Sequence, residues 1–186
     1  MGNAYSWTHT WTQMVYHKVY NLFYDPKFIL VCGLDNAGKT CLLNTLQHLQ
    51  TPTVPTMGFN AETVHIGHAT VQVFDMCGQD TRRDGWKMFF QHADALVYVV
   101  DANDVQRLYE SGTELARIRH HTRFPDVPIL ILANKQDEPR AATPAQVMRG
   151  MRLDGETRPW RVAGTVVKHD EGIQEPMAWL VQQMYQ

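Results

Sequence analysis

The sequence predicts an α/β fold in which a mostly parallel sheet is flanked by helices. Apolar runs alternate with helical patterns along the chain, which is the order expected of βα units. A glycine-containing segment joins the first apolar run to the first helical pattern, as in folds that hold phosphate between a strand and a helix. The 186 residues, 44% of them hydrophobic, can bury one sizeable core, and this length argues against two large domains.

Each element follows from these patterns. Apolar runs predict strands near 28–32, 71–75, 95–100, 128–133 and 161–167. Helical patterns predict helices near 39–49, 81–91, 104–121, 143–150 and 171–185. The interval between Asn60 and Asp75 has no room for a crossover helix, and residues 66–69 are typical of a hairpin turn. We therefore expect one additional, antiparallel strand, and a sheet of six strands.

The segment between the first strand and the first helix matches the phosphate-binding pattern GxxxxGK[ST]. Its residues are Gly33, Leu34, Asp35, Asn36, Ala37, Gly38, Lys39 and Thr40. Glycines let successive backbone N–H groups turn toward phosphate oxygens, and the helix that follows offers its positive N-terminus. In this pattern Lys39 is expected to reach the β- and γ-phosphates, and Thr40 to bind Mg²⁺.

The base is expected to be read about a hundred residues later, where an apolar run ends in Asn134, Lys135, Gln136 and Asp137. A carboxylate at Asp137 can accept hydrogen bonds from N1–H and the exocyclic amine of guanine, whereas adenine presents an acceptor at N1. The stem of Lys135 is expected to lie along the base, and Asn134 to tie this loop to the phosphate loop. The pattern therefore favours guanine and argues against an ATPase or a kinase.

Two intervening segments complete a predicted triphosphate and metal site. Asp75 ends a strand and can hold Mg²⁺ through water, and the N–H of Gly78 can meet a γ-phosphate. Thr56 supplies a second hydroxyl for the metal.

The sequence resembles the ADP-ribosylation factor (Arf) and Arf-like family of small GTPases. The segments GLDNAGKT, PTMGFN, DMCGQD and NKQD appear in the family's order, and the resemblance covers residues 25–186. It implies the P-loop small-GTPase fold, GTP or GDP with Mg²⁺ as ligands, and slow hydrolysis to GDP and phosphate. It also implies a nucleotide exchange factor, a GTPase-activating protein and effectors as partners.

The resemblance also assigns individual roles. Gln79 is expected to orient the attacking water, and Val167 and Lys168 to stand in the loop that contacts guanine. Phe59, Phe74 and Trp86 occupy the places of an aromatic triad that effectors recognise, although burial in the core is an alternative for Phe74.

Hydrolysis is expected to need help from a partner. Residues 47–62 contain no arginine that would stabilise transition-state charge in cis, so an arginine from an activating protein, worth about 10³–10⁵ in rate, is predicted. The alternative is a GTP-binding scaffold that hydrolyses little. Two departures bear on nucleotide binding: Cys77 replaces a usual glycine before Gly78, and Val166 begins a loop in which the family carries Cys or Ser followed by Ala.

Residues 1–24 are predicted to form a separate amphipathic helix. Gly2 fits the MGxxx[ST] signal for N-myristoylation, and Trp7 and Trp11 fall on one apolar stripe. One myristoyl chain binds membranes weakly, so this helix is expected to supply the second signal. The alternative is that the helix packs on the domain's own surface, and both can hold in different nucleotide states.

Composition limits the remaining possibilities. Seventeen basic and nineteen acidic residues give a net charge of −2, without a basic run, which argues against nucleic acid as a main partner. Cys32, Cys41 and Cys77 lack paired spacings, which favours a reducing environment. Together with the predicted lipid anchor, the resemblance to the Arf-like family implies a cytoplasmic location at the periphery of an endomembrane and a role in vesicle or ciliary traffic.

Overall fold

The computed structural model describes residues 27–48, 61–66, 69–75, 90–122, 124–153 and 158–186. Within these ranges the strands are β1 (Lys27–Cys32), β2 (Ala61–Ile66), β3 (Ala69–Asp75), β4 (Ala95–Asp101), β5 (Ile129–Asn134) and β6 (Trp160–Gly164). The α-helices of the same ranges are α1 (Lys39–His48), α2 (Leu108–Arg119), α3 (Pro144–Gly150) and α4 (Gln174–Met184). Short 3₁₀ turns lie at Phe90–His92, Val105–Arg107 and Val167–His169.

The six strands form one sheet in the order β2-β3-β1-β4-β5-β6. β1 pairs in parallel with β3 and β4, and the parallel pairing continues through β5 to β6. β2 runs antiparallel to β3, with Ile66 opposite Ala69. The predicted α/β fold, with a mostly parallel sheet and one antiparallel strand, is therefore confirmed.

The central strands are apolar throughout because helices cover both faces of the sheet. Side chains alternate between the faces, since the side-chain period of a strand is two. One core contains Leu30, Leu96, Tyr98, Val100, Ile129 and Ile131, together with α2 residues Leu108, Leu115 and Ile118. The other contains Ile29, Val31, Val97, Val99, Leu130 and Leu132, with Leu42, Leu43 and Leu46 of α1 and Met177 and Leu180 of α4.

Helix α3 shows how local sequence sets an element boundary. The Thr143 hydroxyl accepts a hydrogen bond from the Gln146 N–H, and the Gln146 side chain accepts one from the Thr143 N–H. Pro144 occupies the first helical position, where its missing N–H has no helical partner to lose. This capping box fixes the start of α3 one residue after the predicted start.

Two predicted elements were wrong in extent. The strand predicted over 161–167 ends at Gly164, because Val166 and Val167 turn away into a loop that bonds to Asn134 instead of a neighbouring strand. The helix predicted over 104–121 begins with a 3₁₀ turn, and its α-helical part spans only Leu108–Arg119.

Two predictions lie mainly or wholly outside the described residues. These are the N-terminal amphipathic helix over 1–24 and the helix over 81–91, of which the structure describes only the end, a 3₁₀ turn at Phe90–His92. Among the helices that the structure describes, none combines the length and the apolar character needed to cross a membrane.

Candidate nucleotide site

The predicted site lies at the carboxyl edge of the parallel strands. β1 leads directly into residues 33–40, the phosphate loop, and β4 and β5 end at Asp101 and Asn134, which are aligned in register. Asp75 ends β3 and is aligned with Val31 of β1. Open α/β sheets bind ligands at this edge, and the sheet order brings the separate sequence motifs to it.

Two glycines of the phosphate loop are required by the backbone path. Gly33 has φ +143°, and a Cβ there would collide with the carbonyl oxygen of Val99. Gly38 has φ +105°, and a Cβ there would collide with the side-chain amide of Asn134. These positive φ values and close approaches explain why the pattern needs glycine at both positions.

Lys39 and Thr40 are the last two residues of this loop and also begin α1. The Lys39 side chain curls back over the loop, where its Nζ donates to the Leu34 carbonyl at 2.7 Å, and the residue is only 7% exposed. Thr40 is exposed at the helix N-terminus. The arrangement holds an ammonium group against the loop and places a hydroxyl at its mouth, which suits a phosphate chain with a bound cation.

Asn134 joins the phosphate loop to a third loop, at residues 165–168. Its side-chain Nδ2 donates to the Ala37 carbonyl at 2.9 Å, and its Oδ1 accepts from the Val167 N–H at 3.0 Å and from the Thr165 hydroxyl at 3.4 Å. The Val167 carbonyl in turn accepts from the Thr45 hydroxyl of α1 at 3.0 Å. The predicted tie between Asn134 and the phosphate loop is therefore formed.

A cavity of about 250 Å³ opens beside this junction, lined among others by Gly38, Cys41, Lys135, Asp137 and Lys168. This volume lies just below the usual range of ligand pockets, about 300–1,000 Å³, and fits part of a nucleotide. The Asp137 carboxylate at its rim can face a base edge that presents two donors.

Asp137 and Lys135, the two residues that the sequence assigns to the base, each form an ion pair with a charged side chain. Lys168 donates to Asp137, and this bond holds the pKa of the Asp137 carboxyl below its usual value and raises the pKa of the Lys168 ammonium. The Lys135 Nζ donates to the Asp101 Oδ2 at 2.6 Å, which fixes the ammonium end of its side chain. Asp137 is thus a carboxylate at neutral pH, the form that accepts two hydrogen bonds.

Two groups of the third loop that could bind guanine already bind other residues of the protein. The Val167 N–H lies in the loop assigned to guanine, but it donates to Asn134. Direct donation to guanine therefore requires that this bond be shared or exchanged. Lys168, half-exposed in an ion pair with Asp137, must likewise share that carboxylate with the base.

The described metal-site residues fit a magnesium ion. Hydroxyl and carboxylate oxygens are the protein ligands that Mg²⁺ prefers, usually alongside phosphate oxygens and water. Thr40 lies in the first turn of α1, at the end of the phosphate loop that follows β1, and the β3 backbone brings Asp75 to the same edge of the sheet. The third predicted ligand, Thr56, lies outside the described residues.

Other predicted site residues fall outside the described residues as well: Gly2, Phe59, Gly78, Gln79 and Trp86. Phe74 lies on β3, between Leu30 of β1 and Ala61 of β2 in the strand register.

Sequence reasoning missed three residues that organise the site. Thr45 holds the Val167 carbonyl, Asp101 holds Lys135, and Arg107 binds Asp35 of the phosphate loop. Each contact joins segments far apart in the chain. A local signal existed only for Arg107, whose spacing from Glu110 suits a pair on one helical turn.

Comparison with known proteins identifies the family. The family model described as "ADP-ribosylation factor family" matches residues 16–184. The chain belongs to the ADP-ribosylation factor family. A curated relative, ADP-ribosylation factor-like protein 3 of Chlamydomonas reinhardtii, is 36% identical over 158 residues, which cover 84% of this chain and 89% of that protein.

A solved structure agrees with this assignment. It is the Arl6 BBS3 small GTPase from Trypanosoma brucei with the bound nucleotide analogue GppNp, which matches with a TM-score of 0.76 and 29% identity. The match covers 86% of this chain and 98% of that chain. As an Arf-family small GTPase, the chain belongs to a class that binds GTP and GDP, hydrolyses GTP, and works with regulators and effectors.

Proposed function

We propose that this Arf-family protein is a GTP-dependent switch that hydrolyses GTP slowly and recruits effectors at a membrane surface. The observation that carries the proposal is the junction at Asn134. This one side chain bonds the phosphate loop and the third loop together beside a cavity rimmed by Asp137. A single molecule with phosphates at one end and guanine at the other could contact the phosphate loop and the Asp137 carboxylate at the same time.

Recognition of guanine rests on the charge and position of Asp137. Its carboxylate is kept ionised by Lys168, so it offers acceptors to the N1–H and amino group of guanine. Adenine would direct its N1 acceptor at the same carboxylate, leaving an unpaired and repelled group. This difference supports guanine over adenine nucleotides.

Slow turnover follows from the groups that the sequence supplies. Lys39 and a Mg²⁺ ion held by Thr40, Thr56 and Asp75 would neutralise phosphate charge, and Gln79 would orient water. The ion's chemistry is charge neutralisation at the phosphate oxygens. Residues 47–62 lack an arginine, so fast hydrolysis awaits an arginine from an activating protein.

The output of such a slow enzyme is partner binding. Loops ordered by the γ-phosphate change which surface is presented, and Phe59, Phe74 and Trp86 are proposed to contact effectors. Gly2 and the helix over 1–24 are proposed to bring the protein to an endomembrane from the cytoplasm, in vesicle or ciliary traffic.

Nucleotide exchange and single-turnover hydrolysis test the proposal. Purified full-length protein is loaded with GTP and Mg²⁺, and hydrolysis is followed with and without an Arf-type activating protein. A slow basal rate that the activator raises by about 10³-fold or more supports the switch. Tight GTP binding with no hydrolysis under either condition supports the second candidate, a GTP-binding scaffold.

A further inference from the structure

The phosphate loop carries a negative side chain at its third position. Asp35 follows Gly33 and Leu34, and its carboxylate is 51% exposed. A loop that receives a polyphosphate chain is an unfavourable place for another negative charge, because like charges repel each other. Asp35 therefore calls for a compensating cation.

Arg107 supplies that cation from the 3₁₀ turn that precedes α2. Its Nη2 donates to the Asp35 Oδ1 at 2.8 Å, and its Nη1 lies 3.4 Å from the Oδ2. The two nitrogens thus approach both carboxylate oxygens, the forked geometry in which guanidinium groups bind carboxylates best. Asp35 and Arg107 are 72 residues apart in the chain, so the contact depends on the fold.

A second carboxylate holds the guanidinium in place. The Arg107 Nε donates to the Glu110 Oε2 at 2.8 Å, and its Nη2 lies 3.3 Å from the Oε1. The hydrogen bonds to Glu110, and to a smaller extent those to Asp35, raise the pKa of Arg107 above its ordinary value. Arg107 ends the 3₁₀ turn that leads into α2, so Glu110, one helical turn later, can fix the direction of the fork.

We infer that Arg107 is a positioning residue for nucleotide binding, which neutralises Asp35 and keeps its carboxylate turned away from the phosphates. This inference rests on the proposed nucleotide-binding function. The effect is greater for GTP than for GDP, because the γ-phosphate adds negative charge near the loop. Arg107 thus biases the site toward the triphosphate without contacting it.

The net charge of the three side chains provides the test. In the wild-type trio, two carboxylates face one guanidinium. The substitution Arg107→Gln removes the guanidinium and makes the net charge of the three side chains more negative by one, whereas the double substitution Arg107→Gln with Asp35→Asn restores their original net charge. A purely structural role for Arg107 predicts that the double variant is at least as impaired as the single one.

The experiment measures dissociation constants of GTP and GDP for the full chain in the presence of Mg²⁺, at low and at high salt. The matched control is Arg161→Ala. Arg161 pairs with Glu175 at 2.7 Å and is 35% exposed, close to the 34% of Arg107, but the pair joins β6 to α4, away from the phosphate loop.

The expected result is that Arg107→Gln weakens GTP binding about tenfold more than GDP binding at low salt, as one added charge near the phosphates implies. The difference shrinks at about 1 M salt, where charges are screened within about 3 Å. The double variant recovers the wild-type GTP to GDP ratio, and Arg161→Ala keeps it.

Two outcomes would overturn the inference. The first is an unchanged ratio in Arg107→Gln, and the second is a double variant as impaired as the single one. Failure of the proposed function is distinguishable, because wild-type protein that binds no guanine nucleotide contradicts that function before any variant is compared.

Discussion

Asn134 offers the sharpest mutational test of the site, because one buried side chain joins two loops. The residue is 4% exposed, and its amide serves the Ala37 carbonyl at 2.9 Å and the Val167 N–H at 3.0 Å. Asn134→Ala removes the side chain that bonds these two backbone groups, together with its weaker contact to the Thr165 hydroxyl at 3.4 Å, and supplies no replacement. The Ala37 carbonyl and the Val167 N–H are then left without these bonds, in residues that are each only 1% exposed.

The magnitude follows from those two backbone groups. Leaving one buried donor or acceptor unsatisfied costs about 1–3 kcal/mol, so the pair predicts a loss of about 2–6 kcal/mol in the free energy of unfolding. Domains of this size are stable by only about 5–15 kcal/mol. The variant is therefore expected to lose a large part of its stability against unfolding. The phosphate loop is also expected to lose its fixed position relative to the base cavity.

Urea unfolding of the nucleotide-free protein measures this loss, since bound nucleotide would add apparent stability by mass action. Thr45→Val is the matched control, because it removes the hydroxyl that donates to the Val167 carbonyl at 3.0 Å while keeping the side-chain volume. A single hydrogen bond of this kind contributes about 0.5–1.5 kcal/mol. If Asn134→Ala were no more destabilising than Thr45→Val, the junction would not have the role assigned to it.

Three further predictions concern the remaining motifs. Gln79→Leu is expected to retain GTP binding and lose activator-stimulated hydrolysis in single-turnover assays, because only water orientation is removed; equal rates would leave Gln79 without a catalytic role. Gly2→Ala is expected to move the protein to the soluble fraction, and Trp7→Ala with Trp11→Ala to do so partially, whereas a wild-type protein that takes up no myristate label would contradict lipidation. Cys77→Gly is expected to change the GDP to GTP affinity ratio by about ten- to a hundredfold if a strained backbone at this position separates the two states, and an unchanged ratio would mean that cysteine is simply tolerated there.

The sequence predicts the phosphate loop well because the determinants of that loop are local. The positive φ values at Gly33 and Gly38 and the burial of Lys39 belong to a pattern of eight consecutive residues between a strand and a helix. The alternation of apolar runs likewise predicts the parallel sheet, since strands covered on both faces are continuously apolar.

The third loop shows where local pattern fails. Val166 and Val167 extend the apolar run that begins at Val162, so the local sequence pattern predicts that the strand continues through them. In the folded chain, Asn134 binds the Val167 N–H and Thr45 binds its carbonyl, so tertiary hydrogen bonds replace the ladder. Such contacts depend on how α1 and β5 meet, which no local window contains.

Arg107 shows the same limit for the site. Its helical spacing indicates a pair with Glu110, but the second pair, with Asp35, exists only because the end of β4 carries the following turn beside the phosphate loop. Long-range electrostatic partners of this kind are set by topology. They become visible once the strand order is known.

The base preference of Asp137→Asn tests the central claim most directly. Competition binding compares GTP, xanthosine triphosphate and ATP on the full chain, with Glu138→Gln as a control that removes the neighbouring carboxylate at the same rim. The amide that replaces the carboxylate would donate to the O2 of xanthine and accept from its N1–H, so the variant is predicted to lose GTP affinity by at least about tenfold and to prefer the xanthine nucleotide. Wild type and Glu138→Gln are predicted to prefer GTP over both competitors. Unchanged GTP affinity in Asp137→Asn, or wild-type protein that binds ATP as tightly as GTP, would contradict the assignment of a guanine nucleotide switch.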